Sequence, residues 1–399
     1  MRSPGLKLAL LLFCGALILA IGMGVRQSFG LFLHPISADL GWSMASLGFA
    51  VAVQQIVWGA TQPFFGALAD RYGAGRVLLA GALAYAAGLW VMSFHRSPLE
   101  FTLGAGILVG LGVSGTGFAI VFGAIARATP PEWRSMALGI GSAGGSFGQF
   151  AFAPISQGLI EALGWSEALL ALVAFAVLIP LLGYALSGTP AKTTGEGSAG
   201  SLSEALAEAA KHRSYWLLNA GFFVCGFHVA FISTHLPGFI AACMLPPALG
   251  ATALALIGLF NIIGSYAAGA LGGRYRKKNL LAGIYLGRAL AIAIFLAAPK
   301  TELSVLVFGA AMGALWLGTV PLTSGLVGQI YGTRYLATLF GIVFLSHQVG
   351  GFFGAWLGGA VFDLTGSYDV MWLASIALGI IAGLVHLPVA DRALRPAAA

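Results

Sequence analysis

The chain has 399 residues, 59% of them hydrophobic and only 8% charged, and its mean hydropathy is +0.92. A soluble globular domain carries about a quarter charged residues, so a water-soluble domain is excluded and a helical membrane protein is implied. The net charge of +7 is scattered among apolar runs, which sets nucleic-acid binding aside, and Cys14, Cys225 and Cys243 sit in apolar stretches as buried fillers that predict neither a disulfide framework nor a metal site.

A bilayer core about 30 Å thick needs roughly 20 apolar residues per helix. Apolar runs bounded by charges, proline or glycine predict twelve such helices, over 6–34, 43–69, 76–95, 99–127, 135–163, 166–187, 214–241, 247–273, 279–298, 303–331, 335–362 and 369–389. The first follows Arg2 and Lys7 but is longer than a signal-peptide core and lacks a small-residue cleavage site before Arg26, so it is read as a retained helix. It contains "GMGVRQSFGLFLHP", where Arg26 stands about nine residues before Pro35, roughly 13 Å along a helix. A central arginine costs at least ~2.5 kcal/mol to insert, so it must face water, a partner or a ligand.

The second and third helices are joined by "GALADRYGAGR", and the fifth reads "GIGSAGGSFGQFAFAPISQGL". The polar segment 187–214 predicts a linker with a short amphipathic helix, which divides the chain into a six-helix unit (1–187), a linker (188–213) and a second six-helix unit (214–399). Polar groups then recur inside the second unit's helices: Asn219, His228 and His235 in the seventh, Asn261 in the eighth, Arg288 in the ninth, Tyr331 at the end of the tenth and His347 in the eleventh. Gly makes up 58 residues, about twice the usual ~7%. That excess suits closely packed membrane helices.

Basic residues set the orientation. With both termini cytoplasmic, the outer loops carry only Arg96 and Lys300, and Arg26 and Arg288 lie within helices. None of the thirteen Asp and Glu falls at mid-membrane. A permanent ion pair for Arg26 is therefore missing, which leaves an anionic ligand or backbone carbonyls as its partner. A guanidinium grips a planar carboxylate with two parallel hydrogen bonds. Arg288, ten residues into a peripheral helix, is read as bonding to neighbouring helices. Histidine is the remaining group that titrates near neutral pH. His347 and His228 are candidates for substrate or proton contact, whereas His34 and His235, each just ahead of a proline, are read as bonding helix ends.

The halves also repeat one another, "GALADRYGAGRVLLAG" from Gly66 returning as "GALGGRYRKKNLLAG" from Gly269. Together these features resemble the major facilitator superfamily over the whole chain. The resemblance implies an all-α membrane fold of two pseudo-symmetric six-helix bundles with a site between them near mid-depth. It makes Gly66, Asp70, Arg71, Gly73 and Arg76 the gating motif of the second-to-third loop, with Gly273 in place of the acid in the second copy. Within the superfamily, "GVRQSFGLFLHPISADLGWS", "GFHVAFISTHLPGFI" and residues 340–369 resemble the monocarboxylate-porter-like branch, including bacterial members.

In that branch a cation in helix 1 binds the substrate carboxylate, and Arg26 occupies its place. The acid and arginine that lactate-type carriers hold in helix 8 are replaced here by Asn261 and Ser265. The fifth helix lacks the drug–proton antiporter pattern. The reading is a secondary transporter of a small organic anion, a monocarboxylate, working by alternating access in the cell inner membrane, with proton coupling through a histidine as one option. Arg26, His347, Asn261, His228 and Tyr331 are its candidate binding residues. It is expected to act as a single copy in the lipid bilayer, without cofactor, metal, nucleic acid or enzymatic activity. The alternative is an exporter of amphipathic or drug-like compounds with the same fold, in which Arg26 is structural.

Overall fold

The computed structural model describes residues 4–94, 97–130, 133–187, 202–332 and 335–394. The first part of the expected linker, 188–201, and the Asp70 side chain lie outside the described residues. In chain order the elements are α1 (Pro4–Gln27), α2 (Phe29–Leu40), α3 (Met44–Tyr72), α4 (Ala74–Phe94), α5 (Pro98–Phe101), a π-helical turn (Thr102–Leu108), α6 (Val109–Thr116), α7 (Phe118–Ala128), α8 (Arg134–Leu163) and α9 (Trp165–Gly183). After the linker come α10 (Leu202–Lys211), α11 (Arg213–Ala242), α12 (Pro247–Gly272), α13 (Lys277–Ala297), α14 (Glu302–Ala314), α15 (Thr319–Tyr331), α16 (Leu336–Thr365) and α17 (Asp369–His386).

Among the described residues, eleven helices are long and apolar enough to cross a membrane. The fifth expected span is also present, as α8, and its Gly, Ser and Gln residues hold its hydropathy below the others. Three spans are interrupted where one continuous helix was expected: at Ser28, at Gly117 and over residues 315–318. The first span also runs past Pro35 to Leu40, because a membrane helix tolerates the single backbone bond a proline forfeits when neighbours cover it. It stops at Gly41, whose φ of +67° is a left-handed end that favours glycine. Arg26 is thereby fourteen residues, about 21 Å, from the end of its span rather than nine.

Glycine lets the helices of each bundle touch backbone to backbone. Between α1 and α8, a Cβ added at Gly148 would lie 2.0 Å from the Ala20 carbonyl oxygen, and one at Gly24 would lie 2.5 Å from that of Gly148. In the second bundle, Gly226 of α11 packs on the His347 carbonyl of α16, and Gly264 of α12 on that of Ala314.

The bundles meet through α2 with α11, α3 with α16, and α8 with α12. Call the end bearing the described chain termini the near end and the opposite one the far end. Gly30 abuts the Ser233 carbonyl, Gly48 that of Ala355 and Gly359 that of Met44, all in the far half. Mid-depth contacts follow, Gly59 on Gln348 and Gly258 on Phe150. At Gly66, Gly139, Gly269 and Gly341, toward the near end, an added Cβ would meet nothing within 4 Å. The contacts named between the bundles therefore gather in the far half and at mid-depth, and they shut the cleft at the far end.

Candidate functional site

Arg26 is the penultimate residue of α1, two residues before the interruption at Ser28. The Tyr85 hydroxyl donates to the Gly22 carbonyl (2.9 Å), one turn earlier, and the Ser156 hydroxyl bonds that of Ser28 (2.9 Å), so the segment is held on both sides of Arg26. Its guanidinium lies over the Trp58 ring of α3, 4.8 Å from the centroid, and Nη2 donates to Gln27 Oε1 (3.1 Å). Arg26 Nε, Gln27 Nε2 and Trp58 Nε1 are all buried without an acceptor. An unsatisfied buried polar group costs about 1–3 kcal/mol, more when charged. Three such N–H donors stand beside one cation, a set that matches an acceptor-only group such as a carboxylate with its about four lone-pair sites.

The second bundle faces this set with aromatic rings. Phe344 of α16 meets Trp58 edge-on (centroids 5.4 Å apart), and His347 stacks flat on Phe344 (5.6 Å, 5° between planes). His347 Nδ1 donates to Gln348 Oε1 (2.8 Å), and Gln348 Nε2 reaches back across the interface to the Gln55 carbonyl (3.3 Å). Two of the residues singled out by sequence, Arg26 and His347, are thus joined through Trp58 and Phe344 in one mid-depth layer spanning both bundles.

The other three stand apart from this layer. Asn261 is spent on structure: its amide donates to Ser146 (3.0 Å) and accepts from Ser265 (3.0 Å) and from the Leu317 backbone N–H (3.0 Å). It bridges α8, α12 and the interruption between α14 and α15. His228, fully buried, has Nε2 on the Ser375 carbonyl of α17 (2.8 Å). Tyr331 closes α15 at the near end, its hydroxyl 2.8 Å from His212 Nδ1 and its ring against Tyr215. Residue type and depth along a helix were legible for all three, but the direction each side chain faces was not.

Arg288 bonds a neighbouring helix, as expected of a peripheral cation. It donates to the carbonyls of Leu315 (2.9 Å), which caps α14, and of Trp316 just beyond it, and lies 3.6 Å from Cys225 Sγ. The last carbonyls of a helix lack intrahelical partners and carry partial negative charge, so a cation there satisfies both needs. Arg288→Ala is expected to lower the melting temperature of the purified protein by several degrees while leaving its affinity for a transported acid within about twofold, since each lost charge-assisted bond is worth ~1.5–3 kcal/mol to the fold. Thermal unfolding followed with and without the acid checks both halves of that statement. His235 likewise bonds a helix, through Nε2 to the Ala355 carbonyl (2.7 Å), and His34 lines a hollow at the far end with Phe362 and Tyr368.

In the loop motif, Gly73 ends α3 at φ +90°, its N–H on the Ala69 carbonyl (2.9 Å), a conformation that only glycine adopts freely. Arg71 and Arg76 are exposed, Arg71 over the adjacent Tyr72 ring (5.2 Å). Sequence reasoning missed Gln27, Trp58, Phe344 and Gln348. A tryptophan at mid-span was the available signal, because membrane tryptophans concentrate at the interfaces. Among the described residues no group of three or more His, Cys, Asp or Glu is placed to hold a metal ion.

Comparison with known proteins agrees with this fold. The family model "Major Facilitator Superfamily" matches residues 12–355. The chain is 26% identical to "Uncharacterized MFS-type transporter YcxA" of Bacillus subtilis (98% of this chain, 97% of the relative) and 27% identical to "Monocarboxylate transporter 13" of Rattus norvegicus (92% and 86%). It is 24% identical to the "Oxalate:formate antiporter" of Oxalobacter formigenes (89% and 84%). Among solved structures, a bacterial homologue of the human lysosomal transporter Spinster, in an inward-facing and unoccupied conformation, superposes with a TM-score of 0.74 at 15% identity over 98% of this chain and 99% of that one. With two six-helix bundles closing around a mid-depth layer and a family match over most of its length, the chain belongs to the Major Facilitator Superfamily, as a multi-pass membrane transporter similar to the monocarboxylate-transporter branch.

Proposed function

We propose that the protein moves a small organic anion, a monocarboxylate, across the cytoplasmic membrane, with both termini in the cytoplasm and the far end outside. The observation that carries this reading is the set of unpartnered donors at Arg26 Nε, Gln27 Nε2 and Trp58 Nε1. One cation without a neighbouring acid suits one carboxylate, because a second negative charge would enter a low-dielectric site unpaired. The names of two relatives, a monocarboxylate transporter and an oxalate:formate antiporter, point to the broader class of small carboxylates, since oxalate is a dicarboxylate and formate a monocarboxylate. The units 1–187 and 214–399, joined by 188–213, would rock about this layer to expose it to each side in turn. His347, stacked in the same layer, is the group for proton coupling.

The test is uptake of labelled acids into proteoliposomes holding the purified protein, with and without an inward proton gradient. Saturable entry of monocarboxylates, with dicarboxylates at least tenfold slower, is the expected result, and a stimulation by the gradient that His347→Gln removes would assign the coupling. Equal transport of neutral amphipathic compounds would instead favour export of such compounds.

A further inference from the structure

Helices α3 and α16 run antiparallel, so the first turn of α3 lies beside the last turn of α16 at the far end. Asp363 stands two residues before the end of α16. Its Oδ1 accepts from the Met44 N–H (3.0 Å) and its Oδ2 from the Ala45 N–H (2.6 Å), the first two residues of α3. The first four N–H groups of any helix lack intrahelical partners, and that end carries partial positive charge, so a carboxylate bound there makes short, charge-assisted bonds.

Two features distinguish this contact from an ordinary helix cap. First, α3 already has a cap of its own, the Ser43 side chain accepting from the Ser46 N–H (3.2 Å). Asp363 belongs to the other bundle, so what it adds holds the bundles together rather than the helix. Second, Ala355, Gly359 and Asp363 are spaced by four and form one stripe along α16, and the backbone of α3 rests on it at Gly48 and Met44. The carboxylate completes that stripe at its outermost point, where parting of the bundles must break its two bonds.

We propose that Asp363 is the latch of the far-end gate: it biases the transporter toward the state closed at the far end, and its release accompanies opening there. The contact is made in the closed state only, so removing it changes the balance between states without touching the mid-depth layer. No substrate enters this argument, which depends on alternating access and not on the anion reading.

Spin-label pairs on the full-length protein in lipid nanodiscs, with the native cysteines replaced, measure the balance directly. One pair, at Leu99 and Leu303, reports the far end, and another, at Trp133 and Tyr275, the near end; all four side chains are exposed and outside the contacts described. Asp363→Asn and Asp363→Ala are expected to lengthen the far-end distance and shorten the near-end one together, moving the open-to-closed ratio at the far end about tenfold, the worth of one charge-assisted contact exposed to solvent. Asp363→Glu, which keeps the carboxylate, should restore most of the wild-type distribution. Unchanged distances in Asp363→Ala would overturn the latch. So would a widening of both pairs at once, since that is loosened packing and not a shift between two states.

Discussion

Replacing Arg26 with glutamine should reduce the uptake efficiency for a monocarboxylate by about 100-fold. Two charge-assisted hydrogen bonds at ~1.5–3 kcal/mol each exceed the roughly 2.7 kcal/mol that such a ratio represents. Glutamine keeps a donor of similar reach but neither the charge nor the planar fork. Lysine keeps the charge and loses the fork, so Arg26→Lys should fall between the two. The same substitution should leave thermal stability unchanged or slightly raised. Among the described residues Arg26 has no acid to leave unpaired, and its Nε lacks an acceptor, so removing the guanidinium relieves a desolvation cost. This combination separates a ligand contact from a structural one. Initial uptake rates in proteoliposomes, with unfolding followed in parallel, supply both readings. A variant that transports within twofold of wild type, or that unfolds many degrees earlier, would remove Arg26 from the binding site and return it to the fold.

Gly30→Val and Gly359→Val are expected to abolish transport while sparing the folded protein. A Cβ at Gly30 would lie 2.2 Å from the Ser233 carbonyl oxygen, and one at Gly359 would lie 2.1 Å from that of Met44. Backbone cannot swing aside as the tip of a flexible side chain can, so the far end cannot shut around the added atoms. Both contacts cross between bundles, and neither bundle's own packing depends on them. The expected outcome is a monodisperse protein with uptake down by more than about 100-fold, arrested with the far end open. Within a bundle the result should differ. At Gly226 a Cβ would fall on the His347 carbonyl of the same half, so Gly226→Val should fail to yield folded protein. Gly341→Ala, with open space around it, serves as the control and should transport normally. Size-exclusion profiles and uptake assays on the four variants distinguish these outcomes, and normal uptake by Gly30→Val and Gly359→Val would show that the far-end contact is not required for the cycle.

How much of this was readable beforehand follows from what a membrane does to a sequence. The helices and the place of Arg26 inside an apolar span were legible because apolar length and the cost of a buried charge act on composition alone. The interruption over residues 315–318 was not, since "LWLG" is as apolar as its surroundings. The partners that stabilise it, Arg288 and Asn261, come from two other helices and become neighbours only in the fold. For Asn261 and His228 depth was legible and direction was not: on a helix covered by others on several sides, position along the axis does not say which neighbour a side chain meets. Trp58 and Phe344 went unnoticed for the opposite reason. Aromatic residues in apolar helices usually fill space, and only the guanidinium lying on one of them reveals another use.

The contacts between the bundles have a mechanical consequence. At Gly30, Gly48, Gly258 and Gly359 the opposing surface is largely main chain. Surfaces joined by interlocking side chains must unpick rotamers one by one before they separate, and each step adds friction. Smooth main-chain surfaces behave like a plain bearing, stiff against compression and free to roll apart. The resistance to opening is then concentrated at a few polar fasteners, so the turnover rate can be tuned at those points while the packing that defines the two bundles stays as it is.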